Sequence, residues 1–233
     1  MIKSDKISTQ HLHPDTVYAN TYNLQKMKIY QLILTDINKN KFQSGEYISV
    51  LNISNHYSKG LSPTRDALKE LTHNKILTKG QGRKVLLPKL TTSTSSGLHF
   101  LLKSLLPKII EDSVHENYES WKLDIFSKFP LYKGRKEDTE TYDCLVNQHN
   151  LYKWLLGGSK CTLSEILLET LSRVFRYQYF ALLHGEDVLL SRDDYHTLLD
   201  FVIDDNVDGL IGKILTHLDK SERIVNMVIV EKS

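Results

Sequence analysis

Over most of this chain apolar residues recur at helical spacing, with two short β-rich runs between residues 76 and 88. Residues 1–22 are polar, contain Pro14 and hold no sustained period, so they read as a flexible arm. Asn23 is placed to cap a helix with apolar or aromatic positions Leu24, Met27, Tyr30, Leu34 and Ile37, the spacing of one buried face. Asn40 and the turn residues of QSGE end it, and a second short helix is expected over residues 50–57. KGLSP then supplies a turn, with Ser62 as N-cap of a third helix and Pro63 at its first position. Ala67, Leu68 and Leu71 form the apolar stripe of that helix, leaving Thr64, Arg65 and Lys69 on other faces. ILT and VLLP flank KGQGRK, which reads as a hairpin around a glycine-bearing turn.

Beyond the hairpin, the small polar run TTSTSSG at 91–97 has nothing to pack a core with and reads as an interdomain linker. The rest carries helical patterns: LHFLLKSLLPKII, YESWKLDIFSKF, and stretches near 141–156, 162–184, 192–204 and 207–220. The charged loop KGRKEDTE, Gly157–Gly158, Gly185 and residues 204–206 separate them, and Pro107 should start or kink a helix. The fold class expected is therefore mainly α. A winged helix-turn-helix with a small β-hairpin wing occupies 23–90, and an all-α helical bundle occupies 98–233. In the winged helix the third helix enters the major groove of DNA and the wing touches backbone or minor groove.

Charge sharpens this division. The net charge of the chain is +2, yet residues 1–90 hold 14 Lys/Arg against 6 Asp/Glu, while the remainder holds 16 against 22. A basic half joined to an acidic half suggests that the first meets a polyanion and the second does something else. With 40% apolar residues, the chain has material for one or two cores, which excludes disorder. Cys144 and Cys161 are too few for a disulfide framework, the first residues lack the apolar core of a signal peptide, and Lys or Pro breaks every apolar stretch before it could span a membrane. A cytoplasmic location is the expectation.

Residues 29–88 resemble the winged-helix domain of the GntR family of bacterial transcription regulators. The parts occur in family order: a first helix, FQSGEYI in place of a proline-glycine-glutamate turn, SPTRDALKEL in place of Thr-Pro-Val-Arg-Glu-Ala-Leu, and NKILTKGQGRKVLLP as strand, wing and return strand. The family usually carries Ser-Arg before its Thr-Pro pair, whereas this chain has Gly60 and Leu61, with Lys59 as a neighbouring substitute. The resemblance implies DNA contacts from Lys59, Ser62, Thr64, Arg65 and Lys69, and from the wing residues Gln81, Gly82, Arg83 and Lys84. Arg65 reaching a guanine edge or phosphate competes with a surface salt bridge to Asp66 or Glu70, and the wing contact competes with a merely solvated hairpin tip. GQG is no phosphate cradle, since it lacks both GxGxxG and a P-loop Lys-Ser/Thr.

The second half resembles the helical ligand-sensing FCD domain of the FadR subgroup. That implies a divalent metal (Zn, Ni or Fe) held by His149, His196 and His217, beneath a cavity for a small carboxylate. Leu145 stands where the family has an Asp four residues before the first histidine, and Asp143 is roughly 240° away around a helix. Arg173 and Arg176, on the apolar stretch LSEILLETLSRVFRYQYFALL, are candidates to bind an organic-acid effector, the alternatives being snorkelling or pairing with Glu165 or Glu169. The expected protein is a ligand-responsive repressor, binding a palindromic DNA operator as a homodimer, with no membrane partner and no catalytic residues. Two other readings stay open: a helical protein-interaction scaffold, and a metal-dependent hydrolase. The latter lacks a nucleophile with its base, a paired-carboxylate site and His-Glu-x-x-His spacing.

Overall fold

A computed structural model describes residues 14–128, 141–156 and 162–232. In chain order the elements are α1 (Pro14–Asn38), β1 (Tyr47–Ile48), α2 (Val50–His56), α3 (Leu61–His73), β2 (Thr78–Lys79), β3 (Val85–Leu86), α4 (Thr92–Lys128), α5 (Thr141–Leu156), α6 (Thr162–Leu183), α7 (Arg192–Ile203) and α8 (Val207–Lys232). The chain forms two compact units, Met1–Thr35 with Glu46–Leu87, and Asp36–Gly45 with Pro88–Ser233. No helix among the described residues is long and apolar enough to cross a membrane.

In the first unit, Ile29 and Ile33 of α1 and Ala67, Leu68 and Leu71 of α3 are buried, as are Ile48, Ile53, Leu77 and Leu87. The α1 stripe differs from the expected one: Ile29, Ile33 and Ile37 face inward at i, i+4 spacing, while Leu24 and Met27 are exposed. The helix also starts at Pro14 rather than at Asn23, so the expected arm is partly helical; proline is at home in a first turn, where its missing N–H has no partner to lose. Asn74 at the end of α3 donates to the Tyr30 hydroxyl (3.0 Å), and Lys26 pairs with Glu70, tying α3 to α1.

The three strands form an antiparallel sheet in the order β1-β3-β2, with Tyr47 opposite Leu86 and Lys79 opposite Val85. Only the β2–β3 hairpin was expected; β1 is two residues long and leaves no alternation to read. At the wing tip the Lys84 N–H donates to the Gln81 carbonyl (3.2 Å), and Gly82 sits in the turn between them at φ +63°, a backbone conformation that glycine enters without strain.

In the second unit α4 packs on α5, α6 and α8. Leu102, Leu106, Ile109 and Ile110 of α4 are fully buried with Leu167 and Leu171 of α6 and Ile214, Leu218 and Val225 of α8. Lys103 reaches across to both Asp219 and Glu222, and the Trp121 indole donates to the Leu155 carbonyl (3.1 Å). A capping box of Ser191 and Asp194 starts α7, and Lys213 of α8 pairs with Asp194.

The linker expected at 91–97 is corrected: it is the beginning of α4. The Thr91 hydroxyl accepts from the Thr94 N–H (3.2 Å) as an N-cap, Ser95 is fully buried, and Asn226 of α8 donates to the Ser96 hydroxyl (3.0 Å). The two stretches expected after it are one continuous helix with Pro107 inside. The charged loop 133–140 and the Gly157–Gly158 turn lie outside the described residues.

Candidate nucleic-acid interface

The helical register of α3 decides which of its polar residues face outward. Its N-cap is Gly60, not Ser62, and the Thr64 hydroxyl turns back to donate to the Gly60 carbonyl (2.8 Å). Thr64 is thereby fully buried and is withdrawn from the expected contact set. Arg65, one position on, is exposed. Neither carboxylate expected to compete for it is paired with it, since Asp66 pairs with Lys69 and Glu70 with Lys26.

Between α3 and the wing lies a groove of about 1250 Å³. Arg65 and Lys69 line it from α3, Lys75 and Lys79 from the segment leading into the wing, and Arg83 and Lys84 from the wing itself. No carboxylate among the described residues lines it, and among the described residues Lys69 alone of the six has a carboxylate partner. Six cations this close together repel one another, which a fold tolerates when an anion neutralises them. Gln81 and Gly82 also line the groove. Lys59 and Ser62 are exposed but lie outside it.

Sequence reasoning missed Lys75 and Lys79. Lys75 lies just after α3, at φ +57°, a conformation not legible in residue type, but Lys79 on β2 could have been found by extending the hairpin alternation one step beyond the glycine turn.

The histidines expected to hold a metal are not gathered. His149 and His217 are buried in the helical unit, each beside Tyr152, with ring-centroid distances of 6.3 and 6.2 Å to it. His149 donates through Nε2 to the Gln178 side-chain carbonyl (2.7 Å), and the Gln178 amide donates to the Ser221 hydroxyl (2.8 Å). His217 donates through Nε2 to the Val188 carbonyl (3.0 Å) and accepts the Tyr152 hydroxyl at Nδ1. His196 is exposed, because the buried stripe of α7 is Tyr195, Leu198 and Val202 and the next residue turns outward by about 100°. The described residues contain no group of three or more His, Cys, Asp or Glu side chains placed to hold a metal. Burial holds His149 down at about 3 and His217 at about 4, so both are neutral, and it raises the Tyr152 hydroxyl, which stays protonated.

The arginines differ too. Arg176 is buried as expected of an interior cation, but its guanidinium donates to the Pro88 carbonyl (2.8 Å) and the Ser44 hydroxyl (3.4 Å) instead of opening onto a ligand cavity. Burial lowers its pKa to about 10, which leaves it charged. Arg173 is half-buried.

No family model matches the sequence, and no curated protein does. Solved structures do. E. coli McbR/YncC superposes with a TM-score of 0.68 at 11% identity, over 87% of this chain and 97% of that one. A transcriptional regulator assigned to GntR from Rhodococcus sp. RHA1 gives 0.61 at 11% identity, over 86% and 97%. A GntR family member from Pseudomonas syringae pv. tomato str. DC3000 gives 0.52 at 16% identity, over 90% and 88%. At such identities the likeness bears on architecture. The chain has the fold of GntR-family transcriptional regulators, a winged helix followed by a helical domain.

Proposed function

We propose that this chain is a DNA-binding transcriptional regulator that grips duplex DNA with the groove between α3 and the wing. The observation that carries the reading is that groove: six cations and no carboxylate among its described lining residues, on α3, the wing and the segment that joins them, α3 and the wing being the elements with which a winged helix meets DNA. In this reading Arg65 meets a base edge or phosphate from the recognition helix, while Arg83 and Lys84 meet the backbone. The helical unit brings two copies onto a palindromic operator, doubling the few base pairs one reader sees, and receives a small organic acid as signal. The likeness to regulators of known fold and the acidic charge of the second half support that division of labour.

Titrating the full chain with mixed-sequence duplex at increasing salt tests the proposal. Six phosphate contacts give a slope of about −5 in log affinity against log salt. Absence of duplex binding at low salt, or binding that ignores salt, would overturn it.

A further inference from the structure

The basic groove contains two leucines that the core does not use. Leu61 begins α3 and is 48% exposed; Leu51, in the first turn of α2, is 57% exposed. Both line the groove together with Arg65. The inward leucines of α3, Leu68 and Leu71, are 2% and 0% exposed, so this helix has an apolar stripe for the core and a separate apolar residue facing out. Leu61 and Arg65 are four positions apart and therefore share a face of α3. An apolar side chain left in water costs free energy that only a partner surface recovers.

The charge of the groove identifies that partner as a polyanion, and among the groups a DNA duplex presents in its major groove the thymine C5-methyl is the apolar one. We propose that Leu61, backed by Leu51, packs against a thymine methyl group beside the site engaged by Arg65, so that the preferred DNA carries thymine there. This rests on the DNA reading of the groove and adds to it a base preference.

The test uses the full chain and a pool of duplexes with a randomised centre. After rounds of selection, the enriched duplex is remade with its thymines replaced one at a time by uracil, which removes the methyl and keeps the pairing. Burying one methyl group gives about a fourfold effect. At one or two positions uracil should weaken binding by about that factor. Leu61→Ala should lose a similar factor on the thymine duplex, no longer distinguish uracil from thymine at those positions, and melt at the wild-type temperature. A wild-type chain indifferent to every uracil, an enriched duplex without thymine, or a Leu61→Ala chain that still discriminates would each overturn the inference while leaving DNA binding intact. Failure to enrich any duplex would overturn the DNA reading and this inference together.

Discussion

Acidification from pH 7 to pH 5 should destabilise the helical unit through its buried imidazoles, among them His149 and His217. In the folded chain His149 and His217 take up protons only at about 3 and about 4, because burial penalises the charged ring; in the unfolded chain both titrate near 6.5. The folded-state values are depressed, so the stability these residues contribute is complete above pH 6.5 and is lost as pH falls toward 4. Within that window the unfolded state holds up to two more protons on this pair than the folded state, and each proton costs about a factor of ten in the folding equilibrium per pH unit, on the order of 1 kcal/mol. The pair together should therefore remove roughly 3 kcal/mol between pH 6.5 and 5, a large share of a domain's usual margin. Urea unfolding followed by far-ultraviolet circular dichroism at pH 7, 6 and 5 measures this directly. His217→Gln should be less stable at pH 7 and show a shallower pH slope than wild type, since one fewer buried imidazole takes up a proton on unfolding. His99 is also buried, with its pKa lowered by burial, and adds the same slope to both proteins, so the comparison isolates His217. A wild-type stability that is flat from pH 7 to 5, or a His217→Gln slope equal to wild type, would refute the account of a neutral buried pair.

Arg65→Ala should weaken specific duplex binding by roughly 1–3 kcal/mol with no change in melting temperature, because Arg65 is exposed and makes no ion pair among the described residues; electrophoretic shifts with a selected duplex give the number. Replacing Arg83 and Lys84 together by Ala should instead lower affinity for all duplexes and flatten the salt slope by about one to two units, read from anisotropy titrations. Arg176→Met should take the charged donor from the Pro88 carbonyl, leaving it only the 3.5 Å bond from the Ser44 hydroxyl, and cost about 1–3 kcal/mol in urea unfolding; an unchanged midpoint would show the guanidinium bond to contribute nothing.

The elements legible in the sequence are those whose local signals and tertiary packing agree. SPTRDALKEL announced α3 because Ala67, Leu68 and Leu71 repeat at helical spacing and are all buried, and the turn around Gly82 announced the wing. TTSTSSG misled because composition measures what small polar residues do in isolation. Here Thr91 caps, Ser95 is buried and Ser96 meets Asn226, none of which a window of seven residues contains. Arg65, Arg83 and Lys84, three candidates of the sequence, line one groove, whereas Thr64 turns back to a bond with its own helix. The histidine set failed for a long-range reason. Tyr152 from α5 and Gln178 from α6 supply the partners that a metal would have replaced, and neither residue type signals that role along the chain.

Gln178 gives the helical core a mutational neighbour of different character. Its amide has a sense, accepting from His149 at one end and donating to Ser221 at the other, so it fixes which nitrogen of His149 carries hydrogen. Glutamate has nearly the same shape and differs by one nucleotide in its codon, but a carboxylate there would accept at both ends and draw a second proton onto His149. The same packing would then enclose an ion pair, distinguishable by imidazole nitrogen shifts, with the His149 titration raised from its place near pH 3. One codon position thus separates a core whose imidazole stays neutral while folded from one in which it carries charge.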